Sequence, residues 1–191
     1  MANEFFALMG RMRYITRWGL MRNTYRENIS EHSHQVAVLA HALALIRRDI
    51  LNLPTPDPDK CAVAALYHDA SEILTGDLPT PIKYYNPDIR TAYKQVERVA
   101  GNRLLDMLPP ALRDSYASYV LEDDETLEPF VKAADKLSAH IKCLEEQKSG
   151  NKEFDTAAKQ TWDAMLAMER PELNWFLENC LEAFARNLDQ L

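Results

Sequence analysis

Six consecutive residues, Tyr67-His68-Asp69-Ala70-Ser71-Glu72, concentrate three ionisable side chains in a stretch whose flanks are mostly apolar. Read as part of one helix, at roughly 100° per residue, His68 and Glu72 share a face one turn apart and Asp69 lies on its flank. All three can then enter one pocket. An imidazole nitrogen beside a carboxylate is a metal-binding pair, but a stable site takes about four ligands, so distant segments must supply the rest. His32 lies in the first turn of another helix, and Asp135 sits beside the apolar stripe Phe130, Ala134, Leu137, Ile141 and Leu144; both can face a core. Two imidazoles with two carboxylates make a shell suited to Mn, Fe, Co, Ni or Zn rather than to Ca or Mg. Singly, each residue has a plainer reading: a flank aspartate pairs with a base, and His32 decorates a helix end.

The elements that must position these groups are helices. Apolar residues recur at helical spacing in nearly every segment, and no long run alternates with period two, so the chain reads as all-α with essentially no sheet. Val36, Leu39, Leu43 and Ile46 mark one face of a helix that starts near Asn28 or Ser30, with Glu31 completing a capping pattern, and ends near Asp49. Pro54-Thr55-Pro56-Asp57-Pro58 is a loop, since proline lacks the amide donor. A helix from about Asp59 to Leu74 stops at Gly76, and Asp77-Leu78-Pro79-Thr80-Pro81 is extended. Further helices are expected over Asp88 to Met107, Pro110 to Glu122, Leu127 to Gln147, Lys152 to Met168 and Glu172 to Leu188.

A length of 191 residues suits one domain, here residues 1–191. The net charge of -7 argues against a nucleic-acid polymer as partner, because such binding draws its affinity from Lys and Arg. One local exception is the basic amino-terminal segment with Arg11, Arg13, Arg17, Arg22 and Arg26, which can meet a small anion or simply form a solvated face. Cys61, Cys143 and Cys180 lack paired spacing and read as reduced structural thiols. The longest apolar stretch, Val36 to Ile46, is interrupted by His41 and is far short of the roughly 20 residues of a membrane span, and the start of the chain lacks a secretory pattern. No membrane partner and a cytoplasmic location are expected.

The order His32, then His68-Asp69, then Asp135 resembles the HD-domain phosphohydrolases. The resemblance is closest to the bacterial 5'-deoxynucleotidase branch, through Arg17-Trp18, Glu27-Asn28-Ile29-Ser30-Glu31-His32-Ser33, Tyr67-His68-Asp69-Ala70-Ser71-Glu72 and Leu74-Thr75-Gly76-Asp77-Leu78-Pro79-Thr80-Pro81. It runs in order from about Phe5 to about Gly150 and is looser over the last two helices, residues 150–191. It implies a helical bundle of the HD type with about six to eight helices, a metal and substrate site within about residues 15–140, and a homodimer.

It also implies that His32, His68, Asp69 and Asp135 bind one divalent transition ion, with Co or Mn favoured, and that a metal-bound water attacks the phosphorus of a deoxyribonucleoside 5'-monophosphate. Glu72 is then the acid–base residue and Asp77 its assistant near the nucleoside. Arg17 orients the phosphate, its planar guanidinium gripping two oxygens at once. Trp18 walls the sugar against a 2'-hydroxyl, a steric exclusion stronger than the mere lack of a partner. Asp69, Asp77, Leu78, Pro79, Thr80 and Asp135 line the substrate. His34, His41 and His140 point away from the ligand faces of their helices and are expected to be structural. The competing readings are an HD hydrolase of another phosphate ester (a ribonucleotide, a cyclic nucleotide or a guanosine polyphosphate) and a metal-binding helical module without turnover. The carboxy-terminal Trp162, Trp175 and Phe176 can serve either a dimer interface or the monomer core.

Overall fold

The computed structural model describes residues 3–79, 82 and 86–190. The α-helices among them are α1 (Phe5–Met9), α2 (Ile29–Leu45), α3 (Pro58–Tyr67), α4 (Glu72–Thr75), α5 (Pro87–Leu105), α6 (Pro110–Val120), α7 (Glu128–Lys148), α8 (Asp155–Leu166) and α9 (Pro171–Asn179). Among the described residues the only β pairing is the isolated bridge Thr16–Asn28, so the all-α expectation holds. No described helix is long and apolar enough to cross a membrane.

Local chemistry sets the helix ends. Asn28 accepts the Glu31 amide at 3.0 Å while the Glu31 side chain returns to the Asn28 amide, the reciprocal box that opens α2. A π turn over Ile46–Ile50 carries that helix on to the predicted end. Proline, which has no amide to leave unpaired, occupies the first turn of α3, α5, α6, α7 and α9.

Helix α2 packs on α3 and α7, and α7 on α8. Val36, Leu39, Leu43 and Ile46 of α2 meet Cys61, Ala64 and Ala65 of α3 and Phe130, Ala134, Leu137 and Ile141 of α7. The predicted stripes are therefore the core faces, and the small side chains of α3 let backbones approach closely. A second cluster joins Phe5, Ala70, Leu104, Leu105, Leu108 and Val120, so the unpredicted α1 helps anchor the turn that contains Ala70. Phe176 is buried in the main core and Trp175 packs against it, while Trp162 lies over the His140 ring at 5.5 Å.

Two expected helices are shorter than their patterns suggest. The segment from Asp59 to Leu74 breaks after Tyr67, and the one from Glu172 to Leu188 ends at Asn179. In the second case Cys180 leaves helical geometry, a 3-10 segment Leu181–Ala185 follows, Leu181 enters the core and Phe184 returns against Phe176.

A buried ion pair ties the loop before α2 to α7. Glu146 lies beneath this loop; it pairs with Lys142 and accepts from the Thr24 hydroxyl, the amides of Thr24 and Tyr25, and Asn151 Nδ2 at 2.8 Å. Burial works against its charge, but Lys142, Thr24 and Asn151 outweigh it and hold the carboxyl well below its usual range. A carboxylate depressed in the fold adds stability that is present above its unfolded value near 4.5 and fades as pH falls toward the folded value. Glu146→Ala is therefore expected to cost about 3–5 kcal/mol at pH 7 by leaving Lys142 buried and unpaired. That lowers Tm by roughly 6–20 °C, and the gap to the parent narrows as pH drops below about 4.5. Equal melting curves at pH 7 contradict this role.

Candidate active site

Three separated elements bring the predicted ligands together. His32, fully buried in the first turn of α2, points Nε2 at Asp135 Oδ1 of α7 at 3.1 Å and at Asp69 Oδ2 at 3.6 Å. His68 follows α3 and points Nε2 at Asp69 Oδ2 at 3.2 Å; the two imidazole rings lie 5.2 Å apart. Ligand atoms of His32, His68 and Asp135 all lie within 4.8 Å of one another, and Asp69 contacts both imidazoles from the side.

Both rings have their Nδ1 committed elsewhere. His68 Nδ1 donates to the Ala65 carbonyl at 2.7 Å, and His32 Nδ1 meets Ser138 Oγ at 3.2 Å, whose own hydroxyl donates to Gln35 Oε1 at 2.6 Å. Nε2 is thereby the nitrogen of each ring left to meet an ion, the second-sphere arrangement that orients metal-bound histidines. Neither Nε2 has a hydrogen-bond partner of suitable geometry, although both are buried. Two orphaned buried nitrogens converging with two carboxylates fit a divalent ion.

The structure corrects the geometry assumed for the His-Asp stretch. It is not continuous helix: the Ala65 carbonyl, which the next helical turn would use, accepts from the His68 ring instead. The backbone then tightens into three-residue steps, Ala70 to Tyr67, Glu72 to Asp69, Ile73 to Ala70 and Leu74 to Ser71. Glu72 heads α4 with its amide on the Asp69 carbonyl at 3.1 Å, and its side chain is only 6% exposed. Ala70, in the second core, pins this turn.

Arg17 lies beside the cluster. Its Nε donates to Glu27 Oε2 at 3.1 Å and Nη1 to Asp69 Oδ2 at 3.2 Å, whereas Arg11, Arg13, Arg22 and Arg26 are exposed. The same Glu27 oxygen accepts Trp18 Nε1 at 3.0 Å. Burial opposes charge on Arg17, yet Asp69, Asp135, Glu27 and Asp77 outweigh it and raise its pKa, so the guanidinium is a permanent cation. Asp77 thus contributes to the field at Arg17. Gly76 adopts φ 73°, a backbone suited to glycine, and its carbonyl accepts the Tyr93 hydroxyl at 3.3 Å, which steadies the entry to the Asp77 loop. Leu78 and Pro79 follow, partly buried; Thr80 lies outside the described residues.

His34 is exposed, His41 pairs with Asp59 and His140 bonds Thr161 Oγ1 at 2.9 Å, so none of the three joins the cluster. Sequence reasoning missed Glu27, Gln35, Ser138 and Phe154. Glu27 stood in the block Glu27–Ser33 without a role, and Ser138 follows Asp135 by three positions on one face of α7.

Electrostatics give the centre a proton-linked ion affinity. Burial disfavours a charged His68, but Asp69, Asp135 and the Ala65 carbonyl outweigh it and raise its pKa to about 10 in the metal-free protein. A raised histidine adds stability that is present below its unfolded value of 6.5 and is lost as pH rises through about 10. An ion needs the neutral ring, so loading near pH 7.5 is expected to release about one proton per ion. Calorimetric titration in two buffers of different ionisation heat measures this number; identical heats in both contradict it.

Solved structures place the fold among the HD-domain phosphohydrolases. An HD-domain phosphohydrolase from Listeria innocua superposes with TM-score 0.83 at 20% identity, over 97% of this chain and 90% of that one. A cyanophage S-2L HD phosphohydrolase, solved with dA and one catalytic Zn2+ ion, superposes with TM-score 0.65 at 20% identity, over 93% and 96%. Residues 4–184 match the family described as 5'-deoxynucleotidase YfbR-like, and the chain belongs to that family. Among its relatives are 5'-deoxynucleotidases of Erwinia tasmaniensis, 46% identical over 99% of this chain and 96% of the relative, and of Vibrio cholerae, 45% identical over 99% and 98%.

Proposed function

We infer that this chain is a metal-dependent 5'-deoxynucleotidase that hydrolyses deoxyribonucleoside 5'-monophosphates to deoxyribonucleosides and phosphate. The observation that carries the inference is the convergence of the orphaned Nε2 atoms of His32 and His68 with Asp69 and Asp135, next to a buried, permanently charged Arg17. Membership of the YfbR-like family supplies the substrate class.

His32, His68, Asp69 and Asp135 would hold one ion; Co or Mn is proposed, from the set that includes Fe, Ni and Zn. When bound, it supplies Lewis acidity that brings a water toward ionisation at neutral pH and neutralises phosphoryl charge. Arg17 keeps guanidinium N–H groups beyond those used on Glu27 and Asp69, and these grip two phosphoryl oxygens. The Glu72 carboxylate takes the proton of the attacking water as the new oxygen–phosphorus bond forms. The bond from phosphorus to O5' breaks, and the leaving O5' takes that proton from Glu72. Asp77, whose charge is felt at Arg17, assists at the nucleoside side, with Leu78, Pro79 and Thr80 as the proposed loop contacts. Trp18 is proposed, from the family resemblance, as the sugar wall whose ring excludes a 2'-hydroxyl.

The whole chain is proposed to act as one domain, because Phe154 from the carboxy-terminal part packs on Trp18. A homodimer in the cytoplasm completes the proposal. Phe176 serves the core, and the partly buried Trp175 packs against it.

The test is phosphate release from paired deoxy- and ribonucleoside 5'-monophosphates by metal-stripped protein, with Co or Mn restored and Glu72→Ala as control. Release from the deoxy substrates alone, dependent on the ion and lost in the variant, is expected. No release from either, with the ion bound, rejects the nucleotidase assignment in favour of another phosphate ester or a binding module.

A further inference from the structure

Trp18 is held in a posture that a tryptophan does not adopt unaided. Its backbone lies in the left-handed region at φ 58°, where a bulky side chain is strained and persists only if the surroundings enforce it. Its carbonyl accepts from the Met21 amide at 2.9 Å and from Asn23 Nδ2 at 3.3 Å, and two further contacts hold the ring. The indole N–H is fixed by the buried Glu27 carboxylate at 3.0 Å, the same oxygen that orients Arg17. The ring face packs on Phe154, with centroids 5.4 Å apart and planes at 56°.

Phe154 is itself enclosed. It is fully buried with Cys143 and Ala158, Lys142 Nζ lies 5.7 Å from its ring centroid, and Asn151, just before its 3-10 turn, donates to Glu146. Steric exclusion of one hydroxyl is only as strong as the wall is stiff, because a small retreat of the ring admits the larger sugar. The Glu27 hydrogen bond and the Phe154 contact are what hold the ring.

We propose that Phe154 and Glu27 are positioning residues that set the deoxy-over-ribo selectivity by holding the Trp18 ring in place, Phe154 by filling the space behind it and Glu27 by fixing its N–H. This rests on Trp18 being the sugar wall, as inferred above. Glu27 also links the wall to the phosphate grip, so loosening it disturbs both, whereas shortening Phe154 disturbs the wall alone.

Phe154→Leu, Glu27→Gln, Trp18→Ala and, as a control of comparable core damage far from the wall, Phe176→Leu are assayed on paired deoxy- and ribonucleoside 5'-monophosphates. Phe154→Leu is expected to lower the ratio of the two kcat/KM values by about tenfold or more through a gain on the ribonucleotide, with deoxy kcat within about threefold of the parent. Glu27→Gln lowers the ratio and also raises KM for both substrates. Phe154→Met, which refills most of the volume, restores part of the ratio, and Phe176→Leu leaves it unchanged. In a Trp162→Phe, Trp175→Phe background, Phe154→Leu makes Trp18 fluorescence more accessible to acrylamide. A ratio that survives Phe154→Leu and Glu27→Gln while Trp18→Ala collapses it overturns the inference, as does an equal fall in Phe176→Leu. A ratio that survives Trp18→Ala removes the sugar-wall reading, and the inference with it.

Discussion

His68→Ala is expected to fold, to lose the divalent ion and to lose hydrolysis together. The ring contributes a buried nitrogen at the centre of the cluster, 3.2 Å from Asp69, with no other hydrogen-bond partner on that nitrogen. Its removal leaves one imidazole and two carboxylates, short of the usual shell of about four. The ion's share of transition-state stabilisation is several kcal/mol, so turnover falls by about 10³-fold or more. Folding survives because the turn bearing His68 is pinned independently by Ala70 in the second core and by the Asp69 to Glu72 backbone bond. Metal content after gel filtration, read beside phosphate release and a melting curve, separates the two losses from unfolding. A variant that keeps both the ion and its turnover shows that His68 is not a ligand.

Glu72→Gln is expected to do the opposite with the ion: keep it, and still lose turnover. The side chain is 6% exposed at the head of α4, and the glutamine is nearly isosteric, so packing and the four ligands stay in place. What disappears is the carboxylate that takes the proton, a contribution of about 10²–10⁴-fold in rate. The fall should lie in kcat, with substrate affinity close to that of the parent, because the nucleotide contacts proposed for Arg17 and Trp18 do not involve Glu72. Metal analysis and steady-state kinetics decide it. Unchanged kcat moves the proton-transfer role to Asp77.

The two variants together divide the site along a line that local sequence reveals only in part. Capping chemistry and apolar stripes are local, so the box Asn28–Glu31 and the core faces of α2 and α7 were legible, whereas Pro58, Pro87 and Pro171, read as lying before their helices, open them. The convergence of His32, His68, Asp69 and Asp135 was legible as a candidate: ionisable groups on apolar helices or their ends need a reason, and their order resembles the HD-domain phosphohydrolases. The break after Tyr67 was not, because it depends on the His68 ring taking the Ala65 carbonyl, a competition that periodicity does not register. The end of the last helix at Asn179 was hidden similarly, since no proline or glycine marks Cys180.

Contacts across the chain were the least legible. Glu27 gains its role only when folding brings Trp18 and Arg17 to one of its oxygens. Glu146 is an ordinary helix acid in sequence, spaced four from Lys142, and becomes a buried anchor only through Thr24 and Tyr25, more than a hundred positions away. Phe154 reads as generic core until Trp18 is seen to rest on it. For Glu146 and Phe154 the side chain is commonplace and the partner more than a hundred positions away, and for Glu27 it is nine or ten positions away across a loop that sequence does not fold.

The most direct test of the metal-centred hydrolysis is a titration of metal-stripped protein with Mn or Co, following bound ion and phosphate release from a deoxyribonucleoside 5'-monophosphate in the same samples. Release that starts near zero, rises in proportion to bound ion and saturates at about one ion per chain is expected for a shell of four ligands. Full release from the stripped protein, or one tightly bound ion per chain with none, contradicts it.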